Sequence, residues 1–340
     1  MTQRRPTSFD IAALAGVSQP TVSRALSGSP SVSEATRLRV LAAAEQLNYK
    51  VDKNASGLRR QQSKTLALLF FEELPDHGEI NPFYLSMLGP MVRRCADRGY
   101  DLLISFQQLS SDWHVDYEDS RKADGIILLG YGDYRQYRPK LEQLVERGTH
   151  FVRWGCSVEG DVGATVSSDN EQGGFEATTH LLQQGRRKIA FIGTGGASFP
   201  EVEERWRGYC RALRAAGLEP LDPLRADAAP SEGEGRAAVL ELIERGAEFD
   251  AIFAASDVAA IGAMHALQDI GRRVPDTAVV GFDDIPAASL ASPPLTTVTQ
   301  DARSAAEALI DTLIQSVETG TARDQVLPVR LTVRESSVRS

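Results

Sequence analysis

Cysteines and long apolar runs are scarce in this chain, and each scarcity excludes a class of protein. The three cysteines, Cys95, Cys156 and Cys210, are far apart and form no CxxC pair. An odd number of distant cysteines argues against a disulfide framework or a zinc site and is typical of a reduced compartment. No stretch of eighteen apolar residues occurs, so we expect no membrane-spanning helix. The first ten residues, MTQRRPTSFD, lack an apolar signal core, and we therefore expect a cytoplasmic protein.

Catalytic motifs are scarce as well. The chain contains neither G-x-S-x-G nor H-E-x-x-H, and its few histidines are scattered: His77, His114, His150, His180 and His265. The run Gly193–Gly196 follows an apolar stretch but matches neither glycine-rich phosphate-binding pattern. Asp283 and Asp284 could form a carboxylate pair, yet no metal-ligand pattern accompanies them. We therefore predict no enzymatic activity, no cofactor and no metal. A sugar- or nucleotide-binding enzyme is the distant alternative.

Positive charge is concentrated at the start of the chain. Residues 1–64 contain ten lysines and arginines against four acidic residues, a net charge of +6, whereas the whole chain of 340 residues carries −9. The remainder of the chain is therefore strongly acidic, with a net charge of −15. A small basic segment joined to a large acidic body indicates that only the basic segment contacts a polyanion.

Residues 8–28, SFDIAALAGVSQPTVSRALSG, have the pattern of two short helices joined by a glycine turn. Gly16 ends the first helix, because glycine adopts left-handed backbone angles at little cost. Ser18 caps the second helix, whose Val22 and Leu26 face the first. This arrangement is that of a helix-turn-helix that reads DNA. It leaves five residues on the outer face: Gln19, Pro20, Thr21, Ser23 and Arg24.

A third helix and a polar linker follow the helix-turn-helix. Ser33 caps a helix predicted over residues 34–47. Its predicted apolar face consists of Leu38, Leu41, Ala42 and Leu47. Residues 50–64 are polar and basic, and we expect them to form a linker that orders on contact with a partner.

From residue 65 onward, short apolar strands alternate with helices. Segments such as TLALLFF at 65–71 and AIFAAS at 251–256 are apolar without alternation, which indicates parallel sheets covered by helices on both faces. The pattern occurs twice and predicts two doubly wound halves. Ligands bind outside the carboxyl ends of the strands in such sheets, so the cleft between the halves is the expected binding site.

Nine motifs spread over nearly the whole chain carry a resemblance to a known family. They are DIAALAGVSQPTVSRALSGSPSVSEATRLRVLAAAEQLNY at 10–49, DGIILLG at 124–130, DN at 169–170, HLLQQGRRKIAFIG at 180–193, RWRGYCRAL at 205–213, FAASDVAAIGAMHAL at 253–267, VPDTAVVGFDD at 274–284, PPLTTVTQD at 293–301 and LPVRLTVRES at 327–336. In this order they resemble the lactose-repressor (LacI/GalR) family of bacterial transcription regulators. The resemblance implies an α-helical helix-turn-helix head and an α/β periplasmic-binding-protein-like body of two doubly wound parallel-sheet subdomains.

The resemblance also implies domain boundaries. A DNA-binding head occupies residues 1–49, a hinge helix residues 50–64 and an effector-binding and dimerisation body residues 65–340. The N-subdomain of the body is expected to comprise about 65–163 and 296–320. The C-subdomain is expected to comprise about 164–295 and 321–340.

In the family, the second helix of the head reads the bases. The resemblance assigns Gln19 and Pro20 to the positions that vary with operator sequence, and Arg24 to the base-reading arginine. A guanidinium can donate two hydrogen bonds to guanine in the major groove, as glutamine can pair with adenine. The implied phosphate contacts are Thr21, Ser23 and Ser33.

The linker resembles the hinge of the family, in which a leucine wedges into the minor groove and kinks the DNA. Ala55 and Leu58 match that pattern. Two positions depart from it, because Val51 stands where the family usually has proline and Asp52 where it usually has asparagine. An acidic side chain near phosphates is unfavourable, so the sequence predicts a less rigid hinge.

The resemblance places the effector-binding residues in the cleft: Phe83, Tyr84, Trp154, Asp169, Arg205, Ser256 and Asp283. Aromatic faces can stack on a sugar ring, and arginine and aspartate can bind vicinal hydroxyls. We therefore predict a saccharide effector, such as an α-glucoside, with a nucleobase corepressor as the alternative.

The implied function is that of a homodimeric repressor of transcription whose affinity for double-stranded DNA is switched by a small ligand. A dimer places two reading helices on a pseudopalindromic operator. No leucine heptads follow RLTVRES, so we expect dimers without a tetramerising coiled coil. No membrane partner is expected.

Overall fold

The chain divides into two compact units, Met1–Ser63 and Lys64–Ser340. A computed structural model describes residues 6–26, 29–47, 49, 62–72, 80–106, 112–131, 134–157, 160–196 and 199–338, with the backbone alone at 71, 72, 131 and 134–136. None of the helices in these ranges combines the length and the apolar composition needed to cross a bilayer.

The first unit contains three short helices: α1 Ser8–Ala15, α2 Gln19–Leu26 and α3 Glu34–Gln46. Helix α1 begins with a capping box, in which Asp10 Oδ2 accepts from the N–H of Thr7 at 2.7 Å. It ends at Gly16, whose φ of +64° is the left-handed conformation expected there. The helices meet around Ile11, Val22 and Val40, which are fully buried.

The buried face of α3 differs from the predicted one. Leu38 and Leu41 are 59% and 46% exposed. The helix instead buries Val40 with two small residues one turn further on, Ala43 and Ala44. Such a stripe at spacings of three and four residues lets short helices approach closely, whereas the predicted leucines lie on the neighbouring face.

The second unit is built on two six-stranded sheets, and their order agrees with the expected pair of doubly wound halves. The first sheet has the order β11-β5-β4-β3-β1-β2, from strands β1 Thr65–Glu72, β2 Asp101–Phe106, β3 Ile126–Tyr131, β4 Phe151–Trp154, β5 Ala164–Ser168 and β11 Gln325–Leu327. The second has the order β12-β10-β9-β8-β6-β7, from strands β6 Ile189–Ile192, β7 Arg225–Ala226, β8 Ala251–Ala254, β9 Ala278–Asp283, β10 Thr296–Gln300 and β12 Val329–Thr332. Only the β10–β12 pair is antiparallel among the described strands.

Helices connect and cover these strands: α4 Pro82–Asp97, α5 Tyr134–Glu146, α6 Asn170–Gln183, α7 Pro200–Ala215, α8 Glu232–Glu244, α9 Asp257–Asp269, α10 Pro286–Leu290 and α11 Ala302–Thr319. A π-helical turn at His114–Asp119 and the short helix α10 had no counterpart in the sequence-based prediction. Because the parallel strands of each sheet point the same way, their carboxyl ends share one edge, where the candidate ligand residues lie.

The chain crosses between the sheets at points other than the predicted boundaries. Strand β5 was assigned to the C-subdomain but pairs with β4 and β11 in the first sheet. Strand β10 was assigned to the N-subdomain but pairs with β9 and β12 in the second sheet. The segment 325–332 is divided at Pro328, which has no N–H to continue a ladder. Its halves, β11 and β12, therefore join different sheets.

Glycines bring two helix pairs of the second sheet into backbone contact. A Cβ at Gly174 of α6 would lie 2.2 Å from the carbonyl oxygen of Arg205, and one at Gly208 of α7 would lie 2.0 Å from that of Glu171. Helices α8 and α9 meet in the same way at Gly235 and Gly262. The first contact sets the distance between the start of α6 and the backbone of Arg205.

Candidate DNA-reading helix and effector cleft

Helix α2 contains the five residues that the sequence predicts on its outer face. Gln19 at its start donates from Nε2 to Ser8 Oγ at 3.3 Å, which ties the side chain to α1. The hydroxyl of Thr21 lies 2.8 Å from Ser18 Oγ. Pro20 and Arg24 are exposed as predicted, whereas Gln19, Thr21 and Ser23 are half-buried. The helix therefore presents a proline and a guanidinium outward, with its polar neighbours oriented by local hydrogen bonds.

Ser33 caps helix α3, as its position predicted. Its Oγ accepts from the N–H of Thr36 at 3.4 Å and lies 2.9 Å from the hydroxyl of Thr36. Ser33 is exposed, so its proposed phosphate contact and its capping role are compatible. The predicted hinge contacts Ala55 and Leu58, and the departures Val51 and Asp52, lie outside the described residues.

Four polar side chains meet near the carboxyl ends of the second-sheet strands, and we call them the polar cluster: Asn170, Arg205, Asp283 and Gln300. Arg205, only 5% exposed, is held on three sides. Its Nε donates to Asn170 Oδ1 at 2.8 Å, its Nη1 donates to the carbonyl of Ala255, and its Cζ lies 3.7 Å from the ring centroid of Phe282. The guanidinium is thus fixed before any ligand arrives.

Asp283 ends strand β9 beside this guanidinium. Its Oδ1 lies 3.9 Å from Arg205 Nη1 and accepts from Gln300 Nε2 at 2.6 Å. Its Oδ2 is buried and has no hydrogen-bond partner among the described residues. The backbone of Asp283 has a φ of +119°, a strained conformation for a non-glycine residue that is typical of functional sites. Oδ2 of Asp283 is therefore an acceptor that is held without a partner by a strained backbone.

Burial dominates the electrostatics of Asp283. It raises the pKa of the carboxyl to about 6, while the charge of Arg205 and the hydrogen bond from Gln300 act in the opposite direction. Asp257, at the start of α9, is fully buried and accepts from the Ile285 N–H at 2.9 Å and the Thr297 hydroxyl at 2.5 Å. Burial, and then the charge of Asp283, raise the pKa of Asp257 well above its usual range.

Two further predicted site residues are helix caps. Asp169 accepts from the N–H of Gln172 at 3.0 Å and so caps α6, directly before Asn170 of the polar cluster. Ser256 accepts from the N–H of Ala259 at 3.3 Å and caps α9. The carbonyl of the preceding residue, Ala255, accepts a hydrogen bond from Arg205. Both predicted residues therefore fix helix starts, and each is the chain neighbour of a residue that accepts a hydrogen bond from Arg205.

The predicted aromatic residues lie at the carboxyl ends of the first-sheet strands. The rings of Phe83 and Trp154 are 5.5 Å apart, and those of Phe83 and Tyr84 are 6.2 Å apart. Phe83 and Tyr84 are buried, and the Tyr84 hydroxyl donates to the carbonyl of Gly130 at 3.1 Å. Trp154 is half-buried. Of these three rings, Trp154 is therefore the one that offers surface to a ligand, with Phe83 packed against it.

Sequence reasoning missed the contact between the loop after β4 and the start of α7. The Cys156 N–H donates to Glu201 Oε1 at 3.0 Å, and the Cys156 thiol donates to Glu204 Oε2 at 2.9 Å. Burial raises the pKa of Cys156 well above its usual range, so the thiol is protonated.

Sequence reasoning also missed two members of the polar cluster, Gln300 and Asn170. Gln300 could have been found from the rule that functional residues follow parallel strands, since it ends the strand beside Asp283. Asn170 belongs to the pair DN at 169–170, one of the motifs that carry the family resemblance.

Among the described residues, no three histidine, cysteine or acidic side chains are placed to hold a metal ion.

Comparisons with known proteins agree with this architecture. A family model described as bacterial regulatory proteins, lacI family, matches residues 9–52. A periplasmic binding protein-like domain model matches residues 178–337. The HTH-type transcriptional regulator CelR of Thermobifida fusca is 35% identical, over 98% of this chain and 99% of the relative. The ribose operon repressor of Escherichia coli (strain K12) is 31% identical, over 94% of this chain and 96% of the relative.

Two solved structures extend the likeness over both units. The transcriptional regulator CelR–cellobiose complex is 33% identical, with a TM-score of 0.73, and the match covers 98% of this chain and all of the other. The lac repressor dimer bound to operator and the anti-inducer ONPF is 26% identical, with a TM-score of 0.82, over 99% of this chain and all of the other. The helix-turn-helix, the two-sheet body and these full-length relatives confirm the resemblance read from the sequence. The chain belongs to the LacI family of bacterial transcription regulators.

Proposed function

We propose that this protein is a homodimeric repressor that binds its operator through α2 and is released when a neutral saccharide binds beside the polar cluster. The observation that carries the ligand assignment is the partnerless Oδ2 of Asp283. A buried carboxylate oxygen without a partner loses several kcal/mol of hydration. A ligand hydroxyl that donates to it recovers part of that loss.

The groups around Asp283 match a polyol. Arg205 and Gln300 donate hydrogen bonds close to Asp283, and a sugar hydroxyl can accept from one group while it donates to another. Trp154, at the end of β4, supplies an apolar face of the kind that ligand pockets combine with a few fixed polar groups. Neighbouring hydroxyls on a ring therefore fit this set better than a ligand with one polar edge.

Cellobiose is the first saccharide to test, because the relative CelR has been solved with it. The α-glucoside predicted from the sequence and the nucleobase alternative remain to be distinguished from it. A thermal-shift series with cellobiose, maltose and hypoxanthine separates the three. A saccharide at 100 times its dissociation constant adds about 2.7 kcal/mol to the free energy of unfolding. A shift with hypoxanthine alone would replace the saccharide assignment with the nucleobase one. Mass analysis after incubation should recover the sugar unchanged.

The dimer proposal is supported by an apolar surface on the first sheet. Strand β2 lies at the edge of the first sheet, and its Leu103, Ile104 and Phe106 are exposed. Leu85 and Val92 of α4 are about half exposed as well. Exposed apolar residues on one strand and its neighbouring helix are typical of a subunit interface. Light scattering is expected to give twice the chain mass of 36.9 kDa, and a monomer or a tetramer mass would contradict the dimer.

Replacing Arg24 with alanine tests the reading helix. The substitution should cost about 1–3 kcal/mol of operator binding and relax specificity at one base pair. Arg39→Ala is the matched control, because it removes the same charge from an exposed position on α3. It should weaken all DNA binding slightly and uniformly. Fluorescence anisotropy on specific and random duplexes measures the affinity that each variant loses. Equal losses for the two variants would show that Arg24 does not read a base.

A further inference from the structure

A glycine loop follows strand β6 and lies next to the polar cluster. It comprises Gly193–Gly196, whose sequence matches neither glycine-rich phosphate-binding pattern. A Cβ at Gly193 would lie 2.6 Å from Cβ of Ala255, the residue whose carbonyl accepts from Arg205. The loop also leads into helix α7, whose amino end carries a partial positive charge. Loops of this kind bind phosphate when their N–H groups are available.

Three of the four N–H groups of this loop already donate hydrogen bonds within the chain. Those of Gly193 and Thr194 donate to the carbonyls of Ala226 and Ala228, at 2.9 and 3.2 Å. The N–H of Gly196 donates to Glu203 Oε2 at 2.8 Å. A Cβ at Gly195 would lie only 2.7 Å from the same oxygen. A carboxylate from α7 therefore occupies the position where a phosphate would sit.

A cation completes the arrangement. Nη2 of Arg225 lies 3.8 Å from Glu203 Oε2, and its Cζ lies 4.5 Å from the ring centroid of Trp206. A glycine loop, a helix start and an arginine together form an anion-binding site. In this chain the anion at that position is the carboxylate of Glu203.

Two more carboxylates surround the start of α7. Glu201 and Glu204 face the loop after β4, where they accept from the N–H and the thiol of Cys156. Three acidic residues thus offset the partial positive charge at this helix end. A phosphorylated ligand that approached the polar cluster from this side would meet negative charge.

We propose that Glu203 is a specificity determinant: it closes the glycine loop to phosphate, so that the effector is an unphosphorylated saccharide and its phosphate esters are rejected. This inference rests on the saccharide function proposed above and names the class of saccharide.

Removing the carboxylate tests the proposal with inorganic phosphate and glucose 6-phosphate as probes. Isothermal calorimetry on wild-type protein should detect no binding of either. Glu203→Ala empties the loop and should bind both measurably, about tenfold or more above the detection limit that bounds the wild-type affinity, because charge-assisted contacts to phosphate are strong. Glu203→Gln keeps an acceptor but removes the charge and should gain less. Glu234→Gln, in the first turn of α8, is the matched control and should gain nothing.

Cellobiose and maltose titrations of the wild-type protein run in parallel. If neither sugar binds but Glu203→Ala gains phosphate, the proposed saccharide function fails while the role of Glu203 stands. If wild-type protein binds glucose 6-phosphate as tightly as a neutral sugar, the specificity proposal is overturned. It is also overturned if both Glu203 variants remain folded by circular dichroism and neither gains affinity for phosphate.

Discussion

Replacing Arg205 with methionine should abolish saccharide binding and destabilise the body by about 3–5 kcal/mol, because removal of one partner leaves a buried charge uncompensated. Arg205 is the cation beside Asp283 and also bonds Asn170 and the carbonyl of Ala255. The loss in sugar affinity should be about 100-fold or more, since hydrogen bonds to charged groups contribute about 1.5–3 kcal/mol each. Chemical denaturation and calorimetry measure the two effects separately.

A second substitution separates stability from binding. Arg205→Met combined with Asp283→Asn removes both charges, and it should recover much of the lost stability without restoring sugar binding. Arg211→Met is the control on the same helix, because Arg211 forms an exposed ion pair with Glu171. It should cost no more than about 1 kcal/mol and leave binding intact. Full sugar affinity in the double variant would remove Arg205 and Asp283 from the site.

Replacing Gly208 with alanine should destabilise the body by about 3 kcal/mol or more, at the upper end of the costs of overpacking. The added Cβ would lie 2.0 Å from the carbonyl oxygen of Glu171 and 2.6 Å from the backbone nitrogen of Phe175. Both are backbone atoms of α6, so no side chain can rotate to make room. The two helices would have to separate, which also lengthens the Arg205–Asn170 hydrogen bond. Denaturant unfolding measures the loss.

Gly233→Ala is the matched control for this prediction. Gly233 lies in helix α8 with no atom within 4 Å of a built Cβ. The substitution should therefore stabilise the helix, by about 1 kcal/mol. If Gly208→Ala were as well tolerated as Gly233→Ala, the close approach of α6 and α7 would not exist.

Much of this architecture could be predicted from local pattern. Gly16 and Ser33 have strong conformational preferences, so the boundaries of the first helices followed from single residues. The strands of the body are uninterrupted apolar runs, and the carboxyl-end rule indicated the sheet edge at which a ligand binds. The assignment of Arg205 and Asp283 to that site came from the family resemblance. The family resemblance supplied their roles, which remain proposals.

The rest depends on contacts between segments distant in sequence. Which face of α3 is buried depends on how closely three helices pack, so Leu38 and Leu41 were misassigned. Strands β11 and β12 join different sheets, and nothing in their local composition specifies a partner. The partnerless oxygen of Asp283 and the Glu203 carboxylate in the glycine loop are properties of geometry. Residue type alone does not reveal whether a polar atom already has a partner.

We propose that a saccharide bound in the body releases the head from DNA. The most direct test uses an operator duplex selected in vitro from random DNA with this protein, followed by fluorescence anisotropy with and without saturating cellobiose. We predict that the sugar weakens operator binding by about 5- to 150-fold, the usual range of allosteric coupling. If a sugar that saturates the body left operator affinity unchanged, or increased it, the account of an inducible repressor would be contradicted.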